Sequence, residues 1–212
     1  MAIDRKAAAK SKKSPAPQKI ACLIENIYED LEAWYPILRF REAGFTVDII
    51  GPEKGVVYAS KHGYAALSTH SINNVKAIEY VGVVIPGGYA PDKMRRNAKM
   101  VRFVREMNAA GKLITSICHG PWLMCEADVL RDRAFTSVSA IKTDCINAGG
   151  RYFDQEVVVD GNLITSRTPP DLPAMLKACL EFLAGNAPTA APVESSEKPP
   201  RKASTKKTKG KA

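Results

Sequence analysis

Short apolar runs along the chain alternate with longer segments in which apolar residues recur at helical spacing. The runs have the length of strands, and they lie at 20–24, 45–50, 81–85, 112–117, 156–159 and 163–166. The segments with helical spacing are 32–43, 97–110, 119–127, 140–148 and 169–184. Between 55 and 67 the pattern instead predicts a small hairpin or edge excursion. Strands that alternate with helices predict an α/β fold with a mostly parallel sheet covered on both faces.

This apolar pattern occupies only the middle of the 212 residues. Residues 1–19 and 185–212 are rich in Ala, Lys, Ser and Pro and contain almost nothing to bury, so we expect both to be disordered tails. Residues 20–184 are predicted to form one domain, because the chain's 45% hydrophobic content suffices for a single core.

The net charge of +9 resides in the two tails. Each tail carries a net charge of +5, whereas residues 20–184 carry −1. Basic disordered arms attract phosphate backbones without sequence preference, so the tails could tether the protein to nucleic acid or another polyanion. The alternative is that they are solubilising extensions.

The cysteines and the motifs that the sequence lacks exclude several classes of protein. The five cysteines form an odd set without a Cys-x-x-Cys pair, which argues against a disulfide framework and a structural zinc site and favours the reducing cytoplasm. No apolar run is long enough to cross a membrane, and the charged N-terminus lacks a hydrophobic signal segment. The sequence has neither a dinucleotide-binding G-x-G-x-x-G after the first strand nor a P-loop. We therefore expect no cofactor, no metal and no membrane partner.

Cys118 is the strongest candidate for a reactive side chain. It follows the apolar run 112–117 and precedes a predicted helix, and His119 is its neighbour. At such a turn the helix dipole and the unpaired N–H groups favour the thiolate, which is the nucleophilic form. The alternative is that Cys118 is a small buried apolar residue.

Two other loops follow strands at the same edge of the predicted sheet. Glu29 follows the first run and could serve as an acid or base, although most acidic residues simply lie at the surface. Gly87 and Gly88 follow the third run and either present their N–H groups to a developing oxyanion or form a simple tight turn. Asp92 is either a helix N-cap or a catalytic carboxylate. Together with the thiol, these residues comprise the parts of an active site.

Five segments of the sequence together resemble the ThiJ/PfpI superfamily. They are IYEDLE at 27–32, VVIPGGYAPD at 83–92, SICHGP at 116–121, INAG at 146–149 and VVVDGNLITSR at 157–167. Within this superfamily the chain is most similar to the PfpI-like intracellular proteases and protein deglycases, over residues 20–184. The resemblance implies a flavodoxin-like three-layer sandwich, similar to class I glutamine amidotransferases, and a homodimer or larger homo-oligomer.

The resemblance also implies a role for each candidate side chain. Cys118 matches the nucleophile, and Glu29 matches the carboxyl group that contacts its sulfur. His119 matches the adjacent histidine, which an acid from a neighbouring subunit orients. Asp92 occupies the position that matches this acid, where some relatives have glutamate.

We therefore predict a cysteine-dependent stress-protection enzyme that acts on reactive carbonyl adducts, either as a deglycase of proteins or nucleotides or as a glyoxalase. Its thiolate would attack a glycated protein or peptide or a small aldehyde, the amides of Gly87 and Gly88 would stabilise the oxyanion, and water would release a 2-hydroxy acid. Two alternatives remain open. One is an intracellular cysteine peptidase, and the other is a redox sensor or holding chaperone without catalytic activity that uses an oxidisable Cys118.

Overall fold

The computed structural model describes residues 17–185 of the chain. The tails predicted at 1–19 and 185–212 lie almost entirely outside the described residues, so their disorder stays a prediction. The first strand begins at Lys19, one residue before the predicted start of the domain. Within residues 17–185, no helix is both long enough and apolar enough to cross a membrane.

Eleven strands and six α-helices follow one another in the described part of the chain. The strands are β1 Lys19–Leu23, β2 Thr46–Gly51, β3 Val57–Tyr58, β4 Ala66–Leu67, β5 His70–Ser71, β6 Gly82–Ile85, β7 Leu113–Ile117, β8 Ala134–Phe135, β9 Arg151–Tyr152, β10 Val157–Asp160 and β11 Leu163–Ser166. The helices are α1 Asp30–Glu42, α2 Ala90–Met94, α3 Ala98–Ala109, α4 Pro121–Glu126, α5 Lys142–Asn147 and α6 Leu172–Leu183. Short 3-10 helices occupy Ala77–Glu79, Ser139–Ile141 and Pro169–Asp171.

Seven strands form the central sheet, in the order β10-β11-β7-β6-β1-β2-β5. All neighbours in this sheet run parallel except β10 and β11, which are antiparallel. β6, β7 and β11 are buried along their whole length, because both faces of the sheet are covered at these strands. The predicted α/β class with a mostly parallel sheet is confirmed.

Helices cover this sheet to complete a flavodoxin-like three-layer sandwich. α1 packs on β1 and β2, α6 packs on β7 and β11, and the two helices contact each other. α3 packs on β6 and β7 and contacts α4. Its buried residues Met100, Phe103, Val104 and Met107 recur at intervals of three and four, so the helix turns one apolar face to the sheet.

Most elements lie where the apolar pattern predicts them, but several short ones, among them β5 and α2, do not follow from it. The predicted hairpin is present as the antiparallel pair of β3 and β4. β5 contributes two residues that pair with the end of β2, and α2 spans five residues. A two-residue strand is shorter than the apolar runs that reveal a strand, and a helix of five residues spans too few turns to show a helical period.

The loops that follow β1 and β6 are joined through their backbones. The N–H of Glu29 donates to the carbonyl oxygen of Gly87 at 3.3 Å, and the N–H of Tyr89 donates to that of Ile27 at 2.8 Å. Because the carboxyl ends of parallel strands share one edge of the sheet, these loops and the turn after β7 enclose a common cleft.

Ile27 holds an unfavourable backbone conformation beside this cleft. Its φ is 67°, and its side chain is 40% exposed. A β-branched residue is strongly disfavoured in the left-handed region, whereas asparagine is tolerated there. We therefore expect Ile27→Asn to raise the free energy of unfolding by about 1 kcal/mol and Tm by about 2 to 4 °C in thermal denaturation. Ile27→Val keeps the β-branch and is the control, so an equal gain in both variants would contradict the strain argument.

Candidate active site

Cys118 lies at the turn between β7 and α4 in a left-handed backbone conformation, with a φ of 58°. Its N–H donates to the carbonyl oxygen of Ser166 at 3.2 Å, and its carbonyl oxygen accepts from the N–H of Val138 at 3.3 Å. A non-glycine residue in this region costs about 1 to 3 kcal/mol, which the surrounding hydrogen bonds must offset. A strained strand-to-helix turn of this kind projects a nucleophile into the cleft at the carboxyl ends of the strands.

Two glycines allow other segments to approach this turn closely. A Cβ atom at Gly120 would lie 2.5 Å from the carbonyl oxygen of Ile85. A Cβ atom at Gly87 would lie 2.6 Å from Oε2 of Glu32 and 2.8 Å from Cβ of Cys118. Any larger residue at either position would force the β6 loop and the Cys118 turn apart.

The carboxyl group beside the Cys118 sulfur belongs to Glu32. This side chain projects from the first turn of α1 and is completely buried. Its Oε2 accepts a hydrogen bond of 2.7 Å from the N–H of Gly87, and the carboxyl group also lies within hydrogen-bonding reach of the Cys118 thiol. Glu32 therefore connects α1, the β6 loop and the Cys118 turn.

Glu29 has a different position from the one predicted for it. Its Oε2 accepts from the N–H of Glu32 at 2.9 Å and so caps the N-terminus of α1, while its Oε1 lies 4.0 Å from Nε2 of His62. The predicted contact with the Cys118 sulfur is therefore corrected from Glu29 to Glu32. The physical reason is that the N-cap side chain is engaged by the first turn, whereas the side chain at the third helical position points back towards the cleft.

Burial governs the protonation of Glu32. Removal from water raises its pKa to about 7, the hydrogen bond from Gly87 opposes this shift, and the charge of Glu29 adds to it. At neutral pH both the acid and the carboxylate are therefore populated. A carboxyl group with such a pKa can both accept and return a proton.

Burial and the charge of Glu32 also raise the pKa of the Cys118 thiol, to about 12. The N–H groups of His119 and Gly88 act in the opposite direction, as predicted for this turn, but they are outweighed. The expected bias towards the thiolate is therefore absent, because burial of the thiol is the larger cause and the charge of Glu32 adds to it. Since each negative charge disfavours the other, we infer that the thiolate forms when Glu32 carries the proton.

His119 is placed to exchange a proton with the sulfur. Its Nδ1 lies 3.2 Å from Sγ of Cys118, and its ring packs edge-to-face on Trp122 with centroids 5.1 Å apart. Burial, and then the charge of Lys61, lowers the pKa of His119, so the imidazole is neutral at pH 7. A neutral ring has one nitrogen that accepts and one that donates.

The three other predicted site residues, Gly87, Gly88 and Asp92, differ in their contacts. The N–H of Gly87 is engaged by Glu32, so the oxyanion role predicted for it does not fit this structure. Gly88, with a φ of 73°, directs its N–H to the Cys118 sulfur, and its oxyanion role stays a prediction. Asp92 is exposed on α2, and its action on the histidine of a neighbouring subunit also stays a prediction.

One group of side chains has the spacing of a metal site. Ligand atoms of Glu29, Asp30 and His62 all lie within 4.8 Å of one another. The Asp30 carboxylate, however, already accepts from Oγ of Ser60 at 2.6 Å, from the N–H of His62 at 2.9 Å and from the N–H of Tyr64 at 3.0 Å. These bonds fix a loop, and the absence of a metal stays a prediction.

Comparisons with known proteins identify the family of this chain. The DJ-1/PfpI family matches residues 18–182. Protein/nucleic acid deglycase 2 of Escherichia coli K12 is 42% identical over 168 residues, which cover 78% of this chain and 98% of that protein. The putative cysteine protease YraA of Bacillus subtilis 168 is 37% identical over 166 residues, with the same coverage of 78% and 98%.

A solved structure extends the likeness to three dimensions. It is a two-domain protein of Anabaena variabilis with DJ-1/ThiJ/PfpI-like and ferritin-like domains, and it superposes with a TM-score of 0.78 at 42% identity. The match covers 85% of this chain and 52% of that one. The chain therefore belongs to the DJ-1/PfpI family.

Proposed function

We propose that this protein is a cysteine-dependent enzyme that acts on reactive carbonyl adducts, as a deglycase of proteins or nucleotides or as a glyoxalase that releases a 2-hydroxy acid. The observation that carries the proposal is the convergence of a strained thiol, a buried carboxyl group with a pKa of about 7 and a neutral imidazole. The relative named as a deglycase at 42% identity supports the substrate class.

The first step with an aldehyde such as methylglyoxal is addition of the Cys118 sulfur. A carbon–sulfur bond forms, the carbonyl electron pair moves to oxygen, and that oxygen takes up the proton that Glu32 carries, which gives a hemithioacetal and leaves Glu32 as a carboxylate. His119 is within reach of the sulfur proton, because Nδ1 lies 3.2 Å from Sγ. The amide of Gly88, which lies beside the Cys118 sulfur, is a candidate donor to the developing oxyanion.

The second step is a proton transfer by Glu32. The carboxylate removes the proton from the former aldehyde carbon to give an enediol and returns it to the neighbouring carbon, while the proton of the adduct's hydroxyl group moves to the neighbouring carbonyl oxygen. The product is a 2-hydroxy thioester. Oε1 of Glu32 is buried and makes no hydrogen bond within residues 17–185, so it has a free lone pair for this proton. Water then cleaves the carbon–sulfur bond, and the 2-hydroxy acid leaves with the thiol restored.

A substrate panel tests the proposal. Wild type and Cys118→Ser are compared on methylglyoxal, a methylglyoxal-treated peptide and a fluorogenic peptide, with Cys179→Ala on α6 as the control for loss of a buried thiol. We expect lactate release by wild type and the control and only background release by Cys118→Ser. A wild type that releases no lactate but protects a client protein from aggregation would show that the enzyme proposal is wrong.

The contact between Cys118 and His119 also favours a second candidate, a cysteine peptidase. The same thiolate would attack an amide carbon, and His119 would protonate the leaving amine. The B. subtilis relative named as a putative cysteine protease supports this reading. Cleavage of the fluorogenic peptide without aldehyde turnover would select it.

Three further parts of the proposal concern the surroundings of the enzyme. We propose a homo-oligomer in which Asp92 of one subunit orients His119 of the next, supported by the exposure of Asp92. We propose the cytoplasm as its compartment, supported by five free cysteines. The basic tails are proposed to bind nucleic acid or another polyanion, supported by their net charge of +5 each.

A further inference from the structure

Two cysteines outside the active site form a pair. Cys125 lies near the C-terminal end of α4, Cys145 lies on α5, and their sulfur atoms are 3.6 Å apart. A disulfide bond has a sulfur–sulfur distance of about 2.05 Å, so the two atoms would have to approach by about 1.5 Å. A hydrogen bond of 2.9 Å from Nε1 of Trp122 to Oδ2 of Asp144 already holds the two helices together beside the pair.

The two thiols have unequal access and unequal acidity. Cys125 is partly exposed and lines an open cavity of about 480 Å³ together with Arg95, whereas Cys145 is completely buried. The hydrogen bond between the two sulfur atoms and the positive charge of Arg95 lower the pKa of Cys125, although burial and Asp144 oppose them. The same hydrogen bond and burial raise the pKa of Cys145. Such an exposed, more acidic thiol beside a buried one is the arrangement of an attacking and a resolving cysteine.

We propose that Cys125 and Cys145 are a redox-active dithiol, which hydrogen peroxide or an organic hydroperoxide converts to an intramolecular disulfide. The sulfur of Cys125 attacks the peroxide, so a sulfur–oxygen bond forms, the oxygen–oxygen bond breaks, and water leaves after protonation. The sulfur of Cys145 then displaces the hydroxyl group from Cys125 as a second water. Two thiols are oxidised, one peroxide is reduced, and a thiol reductant reverses the change.

The test must separate Cys125 from Cys118. Trypsin cleaves after Lys112 and Arg131, so one peptide, 113–131, contains both residues, and Cys145 lies in peptide 143–151. Full-length Cys118→Ser protein is therefore treated with equimolar hydrogen peroxide, alkylated, digested without reduction and analysed by mass spectrometry. We expect peptides 113–131 and 143–151 to be joined, to have lost two hydrogen atoms, and to separate after dithiothreitol.

The controls lie in the same chain. Cys22 and Cys179 are completely buried and are expected to keep free thiols under the same treatment. Cys125→Ser in the Cys118→Ser background should give no joined peptides, and circular dichroism shows whether this variant is folded. Three results for the Cys118→Ser protein would each overturn the proposal, independently of the result with Cys125→Ser. They are conversion of Cys125 to a sulfinic or sulfonic acid without linkage, a disulfide between two chains through Cys125, and no reaction.

Discussion

Glu32→Gln is expected to lower kcat/KM for methylglyoxal by about 10²- to 10⁴-fold, which is the usual contribution of a positioned acid or base. Glutamine has nearly the same shape as glutamate, and its amide oxygen can still accept the hydrogen bond that Oε2 receives from the N–H of Gly87. It cannot accept the substrate proton or return it. The loss therefore measures proton transfer rather than packing, and lactate release by the purified variants checks it.

Glu29→Gln is the matched control for this prediction. The amide oxygen of the new side chain can still accept from the N–H of Glu32 and cap α1, so activity close to that of wild type is expected. The pH profile gives a second readout, because the wild-type rate should depend on a group with a pKa of about 7 and the Glu32→Gln rate should not. A large loss of kcat/KM in Glu29→Gln, together with an active Glu32→Gln, would mean that the catalytic acid or base is Glu29 and not Glu32.

The position of the thiol follows from the apolar pattern alone. β7 is buried at all five residues, so its run of apolar and small side chains is continuous and its end is easy to see. In a parallel sheet the end of such a strand must share an edge with the ends of its neighbours, which brings Cys118 to the loops after β1 and β6. The cleft was therefore predictable before any side chain was placed.

The identity of the carboxyl group was not predictable in the same way. Glu29 and Glu32 are three residues apart, and the choice between them depends on whether the helix begins at Asp30 or at Glu32. Both residues suit the start of a helix, because acidic side chains interact favourably with its N-terminus. What decides is a tertiary contact: the N–H of Gly87, 55 residues along the chain, binds Glu32.

The protonation of the thiol also needed the structure. The sequence shows a strand-to-helix turn, which argues for a lowered pKa, but not the buried negative charge that lies against it. Burial and Glu32 outweigh the backbone N–H groups and raise the pKa of Cys118 to about 12. α4 ends at Glu126 and spans only six residues, so its dipole does little to offset this rise in the pKa of Cys118.

Glu32→Gln is also expected to stabilise the protein at pH 8, although it inactivates it. The pKa of Glu32 rises from 4.5 to about 7 on folding. Between these two values the native state binds a proton that the unfolded state has lost, so the free energy of unfolding falls as the pH rises. A pKa shift of this size corresponds to about 3 kcal/mol of the free energy of unfolding. This contribution is fully present below pH 4.5 and is lost once the pH rises above 7. Glutamine has no charge to desolvate and avoids this loss.

The measurement is thermal denaturation of wild type, Glu32→Gln and Glu29→Gln at pH 5 and at pH 8. For a domain of this size, 3 kcal/mol corresponds to a gain in Tm of about 6 to 12 °C for Glu32→Gln at pH 8, with a much smaller gain at pH 5. Glu29→Gln is the control for loss of an acidic side chain at the start of the same helix, because its amide oxygen can still cap α1. An equal shift for Glu32→Gln at both pH values would indicate a packing effect. A lower Tm for Glu32→Gln than for wild type at pH 8 would mean that the buried Glu32 carboxylate stabilises the fold. Its role would then be structural, and the argument that its burial lowers the free energy of unfolding would be wrong.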